Sequence, residues 1–167
     1  REGKKALELA PNDVQIIGGI AYITGLSGWG CHSSEELKKK YTIDDKACYR
    51  LKRGHELGVL EAKLDKVNSV AGNNFGQVAY YQDSRNWEKA LEVMEDMPVP
   101  FLWWWHHYMG TANHGLGNKE KAQTHFDKIA EILGENTLAK MKKGMEIWHE
   151  MTVYEEMMPV YLEYGLK

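Results

Sequence analysis

Cysteine and proline are scarce in this chain, with 2 Cys and 4 Pro among 167 residues. Two cysteines, Cys31 and Cys48, are too few for a disulfide-built scaffold. Free thiols, buried or half-buried, are the expectation, and a single bridge is the alternative. So little proline excludes collagen-like and proline-rich disordered chains. Long apolar runs are missing too: nothing approaches the roughly 20 residues needed to span a bilayer, and the aromatic stretch Phe101 to Trp105 is far too short. Neither sign of charge dominates, since 21 Lys+Arg face 24 Asp+Glu, for a net charge of -3. That balance lacks the basic footprint of a nucleic-acid binder. Partners of nucleic acid or membrane type are therefore not expected. No signal peptide is visible ahead of the first residues, which favours a cytoplasmic location.

What the chain does have is helical periodicity, and one domain spanning 1–167 is expected. Residues 1–10 read as a helical end stopped by Pro11. Val14 to Leu26 is apolar around most of its circumference and is loosened by Gly18 and Gly19. Ser33-Ser34-Glu35-Glu36 reads as a capping box led by Ser33. A helix from about Ile43 to Leu57 should end at Gly58. From Val59 to Tyr81, the residues Leu60, Leu64, Val67, Ala71, Phe75, Val78 and Tyr81 recur at three or four positions, the spacing of one helical face. Asn86 to Met97, Phe101 to Leu116 and Lys119 to Leu133 follow, and then Thr137 to Glu150 and Val153 to Tyr164. Thr152-Val153-Tyr154-Glu155 reads as a second capping box. Strand-like alternation is absent throughout, so the fold class is all-α.

Ala90 and Ala122 stand 32 residues apart, followed four positions on by Met94 and Phe126. Twelve residues before them lie Val78 and Gly110. One hairpin reads Asn74-x2-Gln77-Val78-x2-Tyr81, then Ala90-x3-Met94; the next reads His106-x2-Met109-Gly110-x2-Asn113, then Ala122-x3-Phe126. This pattern resembles the tetratricopeptide repeat, a helix–turn–helix of about 34 residues. The repeats are degenerate: Trp is missing at both aligned starts, and Leu from both hairpins. The resemblance implies a right-handed superhelix of helical hairpins. It would hold about three repeats (14–58 with an insertion, 59–97 and 101–133), preceded by a repeat end at 1–10 and followed by C-terminal helices at 137–164. The Pro98-Val99-Pro100 step into Trp103-Trp104-Trp105 and the tail from Tyr154 to Lys167 also resemble regions downstream of bacterial class III adenylate cyclase domains. That likeness implies a regulatory or interaction segment.

Catalytic patterns do not emerge. His107 and His114 are seven residues apart on one helix, a rise of about 10.5 Å, too long for two ligands on one metal ion. Cys31-His32 and Cys48 with His55 lack zinc spacing, and Gly25-Leu26-Ser27-Gly28 follows a helix where a nucleophile elbow needs a strand. Neither a metal nor a cofactor is expected. Three consecutive tryptophans cannot all face one core, because neighbouring helix positions diverge by about 100°. In a helical solenoid the first helix of each pair lines the concave face. Tyr22, Phe75, Gln82, Trp104, His107, Thr111 and His114 are then the candidate groove. The expected function is non-enzymatic: a scaffold module binding a peptide, a helix or a neighbouring domain of its own chain. The alternative is an all-helical small-ligand or metal-binding protein, or an enzyme using the His and aromatic cluster. A third reading has the groove filled by the C-terminal helix itself.

Overall fold

Ten helices carry the residues described by this computed structural model, 2–64, 74–97, 99–148 and 150–167. They are α1 (Glu2–Leu9), α2 (Val14–Leu26), α3 (Glu35–Lys40), α4 (Ala47–Leu64), α5 (Phe75–Asp83), α6 (Trp87–Glu95), α7 (Trp103–Gly115), α8 (Lys119–Leu133), α9 (Thr137–Ile147) and α10 (Met151–Glu163). No strand occurs among the described residues, and the chain is all-α.

Local chemistry sets several ends. Asp13 caps α2 by accepting from Ile16 N, and Asn86 caps α6 by accepting from Lys89 N. Each removes one unpaired donor from a first turn. The cap of α3 is Ser34, one residue later than expected, accepting from Leu37 N. The second expected box does not form. Thr152 lies inside α10, whose N-cap is Glu150, and the buried Thr152 Oγ1 has no hydrogen-bond partner among the described residues.

Gly58 does not end a helix: α4 continues to Leu64. The helix expected from Val59 to Tyr81 is divided between α4 and α5, and Val67 and Ala71 lie outside the described residues. Helices α2, α4 and α5 meet in a three-way crossing. A Cβ on Gly54 would stand 2.6 Å from Gly25 N, and one on Gly25 would stand 3.2 Å from Gly76 Cα. These glycines let α2, α4 and α5 touch backbone to backbone, with Ala21 and Ala79 buried beside them.

Helix α7 packs between α6 and α8. Trp105 Nε1 of α7 donates to Met94 O of α6, and Gly110 of α7 seats the Phe126 ring of α8. The spacing of α8 predicts an inner face of Ala122, Phe126, Ile129 and Leu133; the first three are fully buried and Leu133 is half-buried. The last residues fold back, with Leu138 N donating to Lys167 O and Leu166 buried. Cys31 and Cys48 are joined in a disulfide, not held as free thiols. The bridge ties the turn after α2 to the start of α4. The same turn is held by the buried carboxylate of Asp83, which accepts from Gly30 N at 2.6 Å, His32 N at 3.0 Å and the His32 ring at 2.7 Å.

Candidate functional site

The three tryptophans of α7 diverge as helical geometry requires. Trp105 is buried, its indole N–H bonded back to α6. Trp103 turns towards α9, where its ring lies against Gly144. Trp104 turns towards α5 and meets Phe75, ring centroids 4.9 Å apart at 55°. Phe75 in turn meets Tyr22 of α2 at 5.1 Å and 69°, and Tyr22 meets Trp148 at 5.8 Å and 66°. These rings wall a cavity of about 160 Å³, completed by Leu26, Trp103, Tyr108 and Glu150.

The break between α9 and α10 places Glu150. Its carboxyl is buried and accepts a 2.6 Å hydrogen bond from Tyr108 OH. Burial pushes this carboxyl up to about 7, while the Tyr108 hydrogen bond pulls the other way. Burial and the Glu150 charge together push the Tyr22 phenol up to about 12. Tyr108 is held well above the ordinary phenol value, by burial first and then by Glu150. Both phenols are therefore neutral at neutral pH, and Glu150 is poised between its charged and uncharged forms. A second hollow of about 360 Å³ shares Leu26 with the first and is bounded by Trp29, Arg50, Met151 and Thr152. Trp29 Nε1 and Thr152 Oγ1 are both buried there without hydrogen-bond partners among the described residues.

Of the seven residues picked from sequence, Tyr22, Phe75 and Trp104 come together at the cavity. The other four do not line it. Gln82 is buried and donates to Tyr108 O at 3.0 Å. His107 is fully buried, its Nδ1 within 3.2 Å of Tyr161 OH, and Thr111 donates to His107 O at 2.7 Å. His114 Nδ1 lies 3.2 Å from Tyr164 OH. Helix α10 and its C-terminal turn thus cover the face of α7 that carries His107 and His114. Desolvation lowers the His107 imidazole to about 3, so the ring stays neutral.

Sequence reasoning missed Trp148 and Glu150. The sequence places the break after Glu150, but nothing local shows that this terminal glutamate is buried. Two further clusters invite metal chemistry. Cys31, His32 and Asp83 lie close together, but the Cys31 sulfur is already bonded to Cys48 and is no thiolate. His106 and His125 approach Nδ1 to Nδ1 at 2.9 Å, while His106 Nε2 faces Pro100 O at 2.9 Å. Pro100 O can only accept, so a neutral His106 carries its proton on Nε2 and receives one from His125 Nδ1. Both nitrogens are occupied by hydrogen bonding.

No family profile, no curated protein and no solved structure matches the chain.

Proposed function

We propose that this chain is a non-enzymatic recognition module that takes a side chain projecting from a peptide partner into the aromatic cavity. The observation that carries the reading is the cavity itself: Tyr22, Phe75, Trp104 and Trp148 come from four separate stretches of chain to wall one opening. Trp148 remains 42% exposed at its edge. Exposed or half-buried aromatics around a cavity gain most of their binding energy when a partner covers them.

A tetratricopeptide-like superhelix is the architecture we favour for this module. Hairpins α5–α6 and α7–α8 follow one another, and their aligned alanines, Ala90 and Ala122, are both fully buried. The cochaperone type of repeat, which grips terminal carboxylates with cations, fits poorly. Among the described residues no lysine or arginine lines the cavity, and Glu150 would repel an anion. The enzyme reading needs histidines paired with carboxylates, whereas the imidazoles of His107 and His114 face tyrosine phenols. The disulfide supports an oxidising compartment in preference to the expected cytoplasm, where thiols are kept reduced.

A displayed peptide library panned against the full chain tests the reading. Enriched peptides should lose more than about 1 kcal/mol of affinity on Trp104→Ala. If their binding is unchanged and only the melting temperature drops, Trp104 is core and the proposal fails.

A further inference from the structure

The aromatic cavity joins two features that one ligand class satisfies together. Its walls are π systems, and its floor is a buried carboxyl whose hydrogen bond comes from the phenol of Tyr108. No lysine or arginine among the described residues reaches into it. Building on the peptide-recognition reading, we propose that the side chain it receives carries a methylated ammonium, as on a trimethylated lysine.

Exclusion narrows the class. An anionic group would face the Glu150 carboxylate across a small, largely desolvated space, which is repulsive. A neutral alkyl group would cover that carboxyl and keep it protonated, gaining nothing from it, whereas a cation pairs with its ionised form. A bare lysine ammonium is compact and strongly hydrated, so entering an apolar box means stripping firmly held water. Methylation removes those hydrogen-bonding protons, spreads the charge and gives the group an apolar skin. Such a cation is drawn to aromatic faces, and more strongly where water is excluded.

Size agrees with chemistry. An apolar cavity of about 150 Å³ accepts one benzene-sized molecule, so about 160 Å³ has room for a single trimethylammonium head. The stem of such a lysine would leave past Trp148, whose edge is exposed.

Calorimetric titration of the full chain with four probes tests the proposal. These are acetyl-Gly-trimethyllysine-Gly-amide, the same peptide with carbon in place of the quaternary nitrogen, the same peptide with unmodified lysine, and choline chloride. The trimethylated peptide should bind at least about tenfold more tightly than its neutral isostere, as expected of a desolvated cation–π site. Glu150→Gln keeps an acceptor for Tyr108 and should shrink that preference to about twofold or less. Trp148→Leu, at the exposed edge where folding is little disturbed, should weaken the trimethylated peptide more than its neutral isostere.

Equal binding of peptide and isostere would overturn the ammonium assignment while leaving peptide recognition standing. Equal binding of unmodified lysine would overturn the requirement for methyl groups. Choline binding as tightly as the peptide would overturn the peptide as source, in favour of a free quaternary ammonium. Silence from all four probes would overturn the proposal outright, and the library experiment would still decide the recognition reading.

Discussion

Tyr108 OH and Glu150 Oε1 stand 2.6 Å apart, joining the middle of α7 to the break between α9 and α10 across 42 residues of chain. This contact fixes the floor of the cavity, because the phenol belongs to the core and Trp29 stacks on its ring. It also buries a carboxyl in a cavity that no lysine or arginine lines among the described residues. Two kinds of consequence follow: one for ligand charge, one for stability.

The folded chain holds the Glu150 proton up to about pH 7, whereas the ordinary carboxyl value is 4.5. The native state therefore binds more protons than the unfolded state between those values, and the Glu150 contribution to stability declines as pH rises through them. The whole interval corresponds to roughly 3 kcal/mol. The phenolic groups facing it, Tyr22 from α2, Tyr108 from α7 and Tyr161 from α10, do not titrate in this range. Glu150→Gln should gain stability over the parent progressively from pH 4.5 to 7 and hold that gain above. Urea unfolding at stepped pH measures it, and a difference that stays constant with pH would show that Glu150 keeps an ordinary carboxyl value in the folded chain.

His107 acts with the opposite sign. Its folded value lies near 3, against an ordinary 6.5. An unfolded chain takes up the proton first, so this contribution is complete above pH 6.5 and is lost as pH falls towards 3. The loss is on the order of 5 kcal/mol if the ring stays neutral throughout. His107→Gln should flatten the acid limb of the stability curve. An unaltered limb would mean that the imidazole escapes from beneath Tyr161 as it charges.

Much of the helical layout is legible in the sequence because it is local. The apolar run Val14 to Leu26 and the Ala122, Phe126 and Ile129 stripe are signals carried within a few residues. The three-glycine crossing is not legible, since a lone glycine reads equally as a stop or as a contact. Only the meeting of Gly25, Gly54 and Gly76, far apart in sequence, decides between them. The site divides in the same way. Tyr22, Phe75 and Trp104 follow from which helix faces inward, but Glu150 at a helix end has the look of a solvated charge. The shared face of His107 and His114 follows from their spacing on α7; what covers that face is α10, a packing choice made far along the chain.

That crossing gives a paired prediction. Gly54→Ala would place its methyl 2.6 Å from Gly25 N and 3.0 Å from Ala21 O, both backbone atoms that cannot turn aside. Overpacking of this kind costs about 1–3 kcal/mol. Gly19 is also helical but exposed, and a methyl added there would meet nothing within 4 Å. Gly19→Ala should stabilise by about 0.5–1 kcal/mol through helix propensity alone. Thermal unfolding of the two single variants compares them directly, and equal effects would remove the glycine seam from the account of the fold.

The turn after α2 is tethered twice, and the two tethers should be coupled. The disulfide joins Cys31 to Cys48 across 17 residues, a closure worth about 3 kcal/mol by loop entropy. Asp83 holds the residues on either side of Cys31 through Gly30 N, His32 N and the His32 ring. Hydrogen bonds to a buried charged acceptor contribute about 1.5–3 kcal/mol each when measured by deletion. Asp83→Asn alone leaves the disulfide to keep the turn near its place, so the full loss of those bonds should register as lower stability. With Cys31→Ser and Cys48→Ser already present, the turn can detach locally before the rest unfolds, and the same Asp83→Asn change should then cost less. A double-mutant cycle by chemical denaturation should show non-additivity of about 0.5–3 kcal/mol, with the sign of a shared segment. Additive losses would mean that the turn stays docked without either tether, held by the stacking of Trp29 on Tyr108 alone.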